Sequence, residues 1–229
     1  MSSNHVLVVD DEPQIRRVLR TTLIAQGYQV SDARSGEDAI ELIRSERYDL
    51  ILLDYNMAGM SGIETCREIR RSSDIPILMV TVRGAERDKV CALDAGADGY
   101  VTKPFSISEL MARIRAVLRR STFGTETDQK TIRLGNIEID FEARKVQCDD
   151  RQIHLTAKEF EVLLYLAAHP NKAIKHREIL QAVWGPDYGD EQEYLRVFVN
   201  RLRKKLEACP SSPRYLLTEP WVGYRLELT

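Results

Sequence analysis

The sequence predicts an α/β chain of two domains: a doubly wound, five-stranded parallel sheet over residues 1–120 and a smaller helix-and-hairpin domain over residues 131–229. Three observations predict it. Strand-length apolar runs alternate with amphipathic stretches through the first half, which is the pattern of a parallel sheet covered on both faces. Residues 121–130 are polar and lack any apolar period, so they form a flexible linker. Beyond them come short alternating segments, three helical stretches and a final hairpin.

The predicted strands are His5–Val9, Gln29–Ala33, Leu50–Leu53, Ile75–Thr81 and Gly99–Thr102. Most of them are nearly continuous in apolar residues, as burial on two faces requires. The first helix follows Pro13, a residue favoured in a first turn, and carries Ile15, Val18, Leu19 and Leu23 at helical spacing. Ala39, Ile40 and Ile43 after Gly36 make the second, and Ile63, Cys66 and Ile69 after Gly62 the third. Val90, Leu93 and Ala97 make the fourth, and Leu110, Ile114, Val117 and Leu118 the fifth.

At 229 residues and 43% apolar positions, the chain can bury two cores. Acids and bases nearly balance in both halves: 17 basic and 18 acidic residues precede Ser121, and 16 and 17 follow from it. Bulk charge therefore points to no polyanionic partner, and only local clustering can. The four cysteines (Cys66, Cys91, Cys148 and Cys209) show no metal-ligand spacing and no disulfide framework, which fits a reducing cytoplasm. With no secretory leader and no run of about 18 apolar residues, the expectation is a cytoplasmic protein without a membrane partner.

In an open parallel sheet, ligands bind beyond the carboxyl ends of the strands. Those ends carry Asp10-Asp11-Glu12, Asp54, Thr81 and Lys103-Pro104. Carboxylates converging on one edge repel unless a cation neutralises them, and oxygen ligands with room for water suit Mg²⁺. Lys103 adds a fixed positive charge, and Thr81 a hydroxyl for an added oxyanion. Together these are the parts of phosphoryl transfer: an attacking carboxylate, a divalent cation and a charge-offsetting lysine.

Asp10-Asp11, Asp54, Thr81 and Lys103-Pro104-Phe105, with Gly96-Ala97-Asp98, resemble a two-component response regulator receiver domain across residues 5–120. The resemblance implies a CheY-like fold in which Asp54 accepts a phosphoryl group from a cognate sensor histidine kinase. It further implies Mg²⁺ held by Asp11, Asp54 and the Asn56 carbonyl, with Asp10 helping through water, a switch pair of Thr81 and Tyr100, a phosphate grip by Lys103 and a cis Lys103–Pro104 bond. Ala58 stands where the family commonly has proline. The family's activated homodimer forms through the fourth helix, fifth strand and fifth helix, where Lys89, Asp94, Asp98, Glu109 and Arg113 supply charges.

The second half begins with strands at Ile132–Leu134, Ile137–Asp140, Lys145–Gln147 and Gln152–His154. Thr156-Ala157-Lys158-Glu159 is a capping box, opening a helix that runs to His169-Pro170. Further helices are predicted over Lys175–Trp184 and Glu191–Leu206, then a hairpin of Tyr215–Leu217 and Tyr224–Leu228. The last helix holds five basic residues and no acidic one between Arg196 and Lys205. After a helix–turn–helix pattern and before a hairpin, such a helix reads base edges and phosphates of duplex DNA.

Leu155-Thr156-Ala157-Lys158-Glu159-Phe160, Val183-Trp184-Gly185, Leu202-Arg203-Lys204-Lys205-Leu206 and Gly223-Tyr224-Arg225 resemble the winged helix-turn-helix domain of the OmpR/PhoB family. This implies a double-stranded operator and RNA polymerase as partners, with Arg196, Asn200, Arg201, Arg203, Lys204 and Thr218 facing DNA. Trp184-Gly185-Pro186, Tyr194-Leu195-Arg196 and Thr218-Glu219-Pro220 resemble the KdpE branch, which controls a potassium-uptake operon; a regulator of another regulon is the alternative. The wing tip carries Pro220-Trp221 where relatives often have Arg or Gly. A phosphatase of the haloacid dehalogenase type needs a carboxylate two residues past its nucleophile, and Asn56 occupies that place, so the chain is not expected to be an enzyme. A module docking protein or RNA is the remaining rival, and the basic helix argues against it.

Overall fold

The computed structural model describes residues 4–82, 86–119, 131–149 and 151–228. The chain divides into two compact units, Met1–Leu118 and Arg119–Thr229. The linker expected at 121–130 lies outside the described residues.

The first unit alternates β1 (His5–Val9), α1 (Pro13–Ala25), β2 (Gln29–Ala33), α2 (Gly36–Ser45), β3 (Leu50–Asp54), α3 (Gly62–Arg70), β4 (Ile77–Thr81), α4 (Glu86–Asp94), β5 (Gly99–Thr102) and α5 (Ile107–Leu118). The strands run in the order β2-β1-β3-β4-β5, and all neighbours are parallel. Two-residue alternation divides them between two cores. Leu7, Val9, Ile51, Leu53, Ile77 and Met79 face one side with α2 and α3 residues. Val6, Val8, Leu50, Leu52, Leu78 and Val80 face the other, with Leu19 and Leu23 of α1 and Ile114 of α5. Full burial of each such side chain contributes about 1.5–3 kcal/mol.

Two boundaries differ from the periodicity. β4 begins at Ile77 rather than Ile75, because Pro76 has no N–H for a ladder and the Ile75 carbonyl accepts from Arg70 Nη1 at 2.7 Å. α4 ends at Asp94 rather than Ala97, since Gly96 turns the chain at φ +120°. Strand order reverses between β1 and β3, so their carboxyl ends flank the crevice where such sheets bind ligands.

The second unit opens with an antiparallel meander of β6 (Thr131–Leu134), β7 (Ile137–Asp140), β8 (Lys145–Cys148) and β9 (Arg151–Ile153). Then follow α6 (Ala157–Ala167), β10 (Ile174–Lys175), α7 (His176–Trp184), α8 (Gln192–Leu206), β11 (Leu216–Glu219) and β12 (Gly223–Leu226). β10 is too short to show a period and is absent from the sequence reading; it completes a three-stranded sheet in the order β10-β12-β11. Gly223 permits that pairing, because a Cβ there would collide with the Ile174 carbonyl. Trp184, Tyr188, Tyr194 and Phe198 cluster edge to face between α7 and α8. Among the described residues no helix is long and apolar enough to cross a membrane.

Candidate functional site

The reversal between β1 and β3 brings Asp10 and Asp54 to one crevice, where they are only 2% and 6% exposed. Lys103, just past β5, reaches between them: its Nζ donates to Asp10 Oδ2 at 3.0 Å and to Asp54 Oδ1 at 2.7 Å. The other carboxylate oxygens are also held. Asp10 Oδ1 accepts from the Glu12 N–H at 2.9 Å, and Asp54 Oδ2 from the Asn56 N–H at 2.9 Å. Asp11 turns toward the loop after β3 and accepts from the Ala58 N–H at 3.0 Å. Gly62 opens α3 so close to β3 that a Cβ would strike the Asp54 carbonyl, and a Ser61/Glu64 capping box fixes that turn. Arg16 of α1, which no sequence motif singles out, donates from Nη1 to the Asp10 carbonyl at 2.6 Å.

Burial pushes the Asp54 carboxyl above the usual carboxylate range; hydrogen bonding and charge from Lys103 pull it back, and the Asp10 charge raises it again. For Lys103 burial favours the neutral amine, but its bonds to Asp54 and Asp10 outweigh burial and hold its pKa above the ordinary lysine value. Thr81 is buried at the end of β4, and the Lys103–Pro104 bond is cis. Tyr100 is partly buried, with the Lys89 ammonium 5.0 Å from its ring centroid.

The donor set fits a hard cation, since Asp10, Asp11, Asp54 and the Asn56 carbonyl offer only oxygen. Yet the described residues form no group of three ready-made metal ligands, because Lys103 stands between Asp10 and Asp54 while Asp11 faces Ala58.

Of the five charges expected on the receiver's dimer face, Asp94 and Glu109 are exposed, and Lys89 and Arg113 half-buried. Asp98 is a correction. Its side chain is fully buried, accepting from Arg70 Nη2 at 2.7 Å and from the Ile77 N–H at 2.9 Å. It staples α3 to the start of β4 and offers nothing to another chain.

On α8 the basic residues divide by face. Arg196, Asn200 and Lys204 are exposed and lie four residues apart, which makes them one stripe. Arg196 pairs with Glu193 at 2.8 Å but remains 61% exposed. Arg201 corrects the expectation of a DNA-facing residue: it is 11% exposed, with Nε 2.9 Å from the buried Glu159. Lys205 Nζ takes the other oxygen of Glu159 at 2.6 Å. The sequence marks Glu159 only as a helix cap, and it is that too, accepting from the Thr156 N–H. Arg203 reaches the wing, donating to the Leu216 carbonyl at 2.7 Å and to Thr218 Oγ1 at 2.8 Å, so those two expected DNA residues engage each other. Trp221, at the wing tip with φ +66°, is fully exposed.

Residues 6–115 match the response regulator receiver domain family, and residues 150–226 the family of the C-terminal domain of transcriptional regulatory proteins. The transcriptional regulatory protein KdpE of Mycobacterium tuberculosis is 44% identical over 97% of this chain and 98% of its own length. The KDP operon transcriptional regulatory protein KdpE of Escherichia coli is 39% identical over 98% and 99%. The chain belongs to the OmpR/PhoB family of response regulators. Among solved structures, a mutant of RitR aligns over 99% of this chain and all of its own, at 25% identity and a TM-score of 0.81. DrrB of Thermotoga maritima, an OmpR/PhoB homologue, aligns over the same shares at 29% identity and a TM-score of 0.51. The regulator is thus a KdpE-like, phosphorylation-regulated DNA-binding protein.

Proposed function

We propose that Asp54 is the phosphoacceptor and that its modification controls how strongly α8 holds duplex DNA. The observation that carries this is the bridge of Lys103 between Asp10 and Asp54 at the sheet's switch point. An Asp54 oxygen attacks the phosphorus of a phosphohistidine on the sensor kinase. The new P–O bond forms as the P–N bond breaks, and the imidazole leaves with the electron pair. Asp10, Asp11, Asp54 and the Asn56 carbonyl would hold Mg²⁺, which supplies charge neutralisation for the oxygens of the incoming group. Lys103 releases Asp54, keeps Asp10, and offers its ammonium to a phosphoryl oxygen. Thr81 donates its hydroxyl to another oxygen, and Tyr100 follows Thr81 inward. That movement reshapes the face of α4, β5 and α5, through which two receivers associate in the activated homodimer.

On the effector side, Arg196, Asn200 and Lys204 meet the operator, while Arg203 and Thr218 brace the wing against α8. RNA polymerase is the partner at the promoter, and the likeness to KdpE proteins favours a cytoplasmic regulator of an operon for potassium transport. Incubation with a small-molecule phosphodonor and Mg²⁺, read by intact mass, tests the acceptor. One phosphoryl adduct is expected on the wild-type protein and none on Asp54→Ala; a full adduct on the variant, or one undiminished by chelator, refutes the assignment.

A further inference from the structure

We infer that Arg16 is a positioning residue for Mg²⁺: its guanidinium fixes the peptide between Asp10 and Asp11, so the two carboxylates leave the end of β1 in a set relation to each other. The inference rests on the proposed reading of those residues, with Asp54 and the Asn56 carbonyl, as the Mg²⁺ ligands. Arg16 sits one turn into α1, where its own N–H donates to the Glu12 carbonyl at 3.2 Å. Its side chain is only 16% exposed, so it is not a solvated surface charge. From Nη1 it donates to the Asp10 carbonyl at 2.6 Å, a bond strengthened by the charge on the donor. The Asp10 N–H is held in turn by the Ala33 carbonyl at 3.3 Å. Both backbone groups of Asp10 are therefore tied down, while its carboxylate goes to Lys103 and the Glu12 N–H.

A peptide unit is planar, so gripping its oxygen sets the direction in which the next N and Cα follow. Here the next residue is Asp11, whose carboxylate then meets the Ala58 N–H at 3.0 Å. The grip is itself aimed. Arg16 Nε lies 3.4 Å from Asp32 Oδ2, on the next-to-last residue of β2, and Asp32 Oδ1 accepts from Arg20 Nη1 at 2.9 Å, one turn further along α1. Arginine keeps its proton in a protein, so Arg16 is also a fixed positive charge beside a site for a cation. By charge alone it would oppose Mg²⁺; by fixing the peptide it favours Mg²⁺. The two effects have opposite signs, and that separates a positioning role from a purely electrostatic one.

The full chain is titrated with Mg²⁺ and followed by the amide NMR shifts of Asp11 and Asn56. Arg16→Ala is expected to raise the Mg²⁺ dissociation constant about ten-fold, the scale on which metal sites respond to losing a supporting hydrogen bond. Arg16→Lys, which keeps the charge but not the planar fork, should weaken binding too. Asp32→Asn should act in the same direction, because Arg16 loses its aim. With a small-molecule phosphodonor, the Mg²⁺ concentration for half-maximal phosphorylation of Arg16→Ala should rise by the same factor, while the rate at saturating Mg²⁺ stays at the wild-type value. A dissociation constant unchanged or lowered in Arg16→Ala overturns the inference, and so does a fall in the saturated rate with the half-maximal point unmoved. Should the Ala variant not fold, wild-type affinity in both Arg16→Lys and Asp32→Asn overturns it. A wild-type chain that gives no Mg²⁺ response refutes the ligand assignment itself, and this inference with it.

Discussion

The acidic crevice of the first unit and the basic helix of the second are both charge clusters, yet the fold uses them in opposite ways. In the crevice, residues far apart in sequence are gathered by strand ends, and Asp10 and Asp54 meet on a single ammonium, that of Lys103. On α8 the charges are neighbours in sequence, and the helix scatters them: Arg201 and Lys205 go inward to Glu159, Arg203 goes to the wing, and Arg196, Asn200 and Lys204 stay in water. A strand end places one residue at an edge, so topology alone converts position into proximity. A helix turns by about 100° per residue, so adjacent cations have different fates. Density of charge in a helix is therefore a weaker sign of a binding surface than coincidence of charge at the ends of several strands.

The largest effect should come from a charge that looked like surface and is not. Arg70→Ala removes the guanidinium that pairs with the fully buried Asp98, and the expected cost is about 3 kcal/mol in urea unfolding of the first unit. Asp94→Ala, on the exposed side of the same region, should stay within about 0.5 kcal/mol of wild type. If the two variants unfolded alike, the division into staple and surface would be wrong.

Next comes Arg201→Ala, which leaves Glu159 with Lys205 and the Thr156 N–H. A loss of about 2 kcal/mol in stability of the second unit is expected, and duplex affinity should be retained once the folded fraction is counted. Arg196→Ala should do the reverse. Melting is unchanged, while binding weakens across sequences and the slope of log affinity against log salt falls by about one. A titration in which Arg201→Ala, fully folded, lost as much affinity as Arg196→Ala would break the comparison on the effector side.

The smallest effect concerns the crevice itself. Because burial raises the Asp54 pKa in the folded chain, its contribution to stability is present below the ordinary carboxylate value of about 3.9 and is lost as pH rises through the raised value. Asp54→Asn removes that dependence, so its stability relative to wild type should improve on going from about pH 4 to pH 7. Lys103 titrates on the alkaline side and does not enter this window. A difference between the two proteins that is flat over this range would show that Asp54 is better solvated than its position implies.

Much of this was legible in the residues. Periodicity located all five strands and helices of the first unit, and the capping box of Thr156 and Glu159 located α6. Asp10, Asp54 and Lys103 were legible as a set because parallel topology sends every strand end to the same edge. What escaped was of three kinds. β10 has two residues and exists only through its partner β12. Asp98 sits at a strand's entrance, not its exit, and only tertiary contact with Arg70 decides that it is buried. Arg201 and Arg203 lie two residues apart among other cations, and their destinations depend on Glu159 and the wing, which are distant in sequence.

Glu159 grips Arg201 and Lys205, which are themselves one helical turn apart, so it holds α8 at two points along a line parallel to its axis. Two such points act as a keel: the helix can neither roll about its axis nor slide by a residue without stripping both cations from a carboxylate that has no water to turn to. The stripe of Arg196, Asn200 and Lys204 therefore keeps a constant bearing whatever side chains it carries. Exchanging those three residues should alter what the helix contacts without altering where it points, so this one surface can be rewritten while the scaffold beneath it stays put.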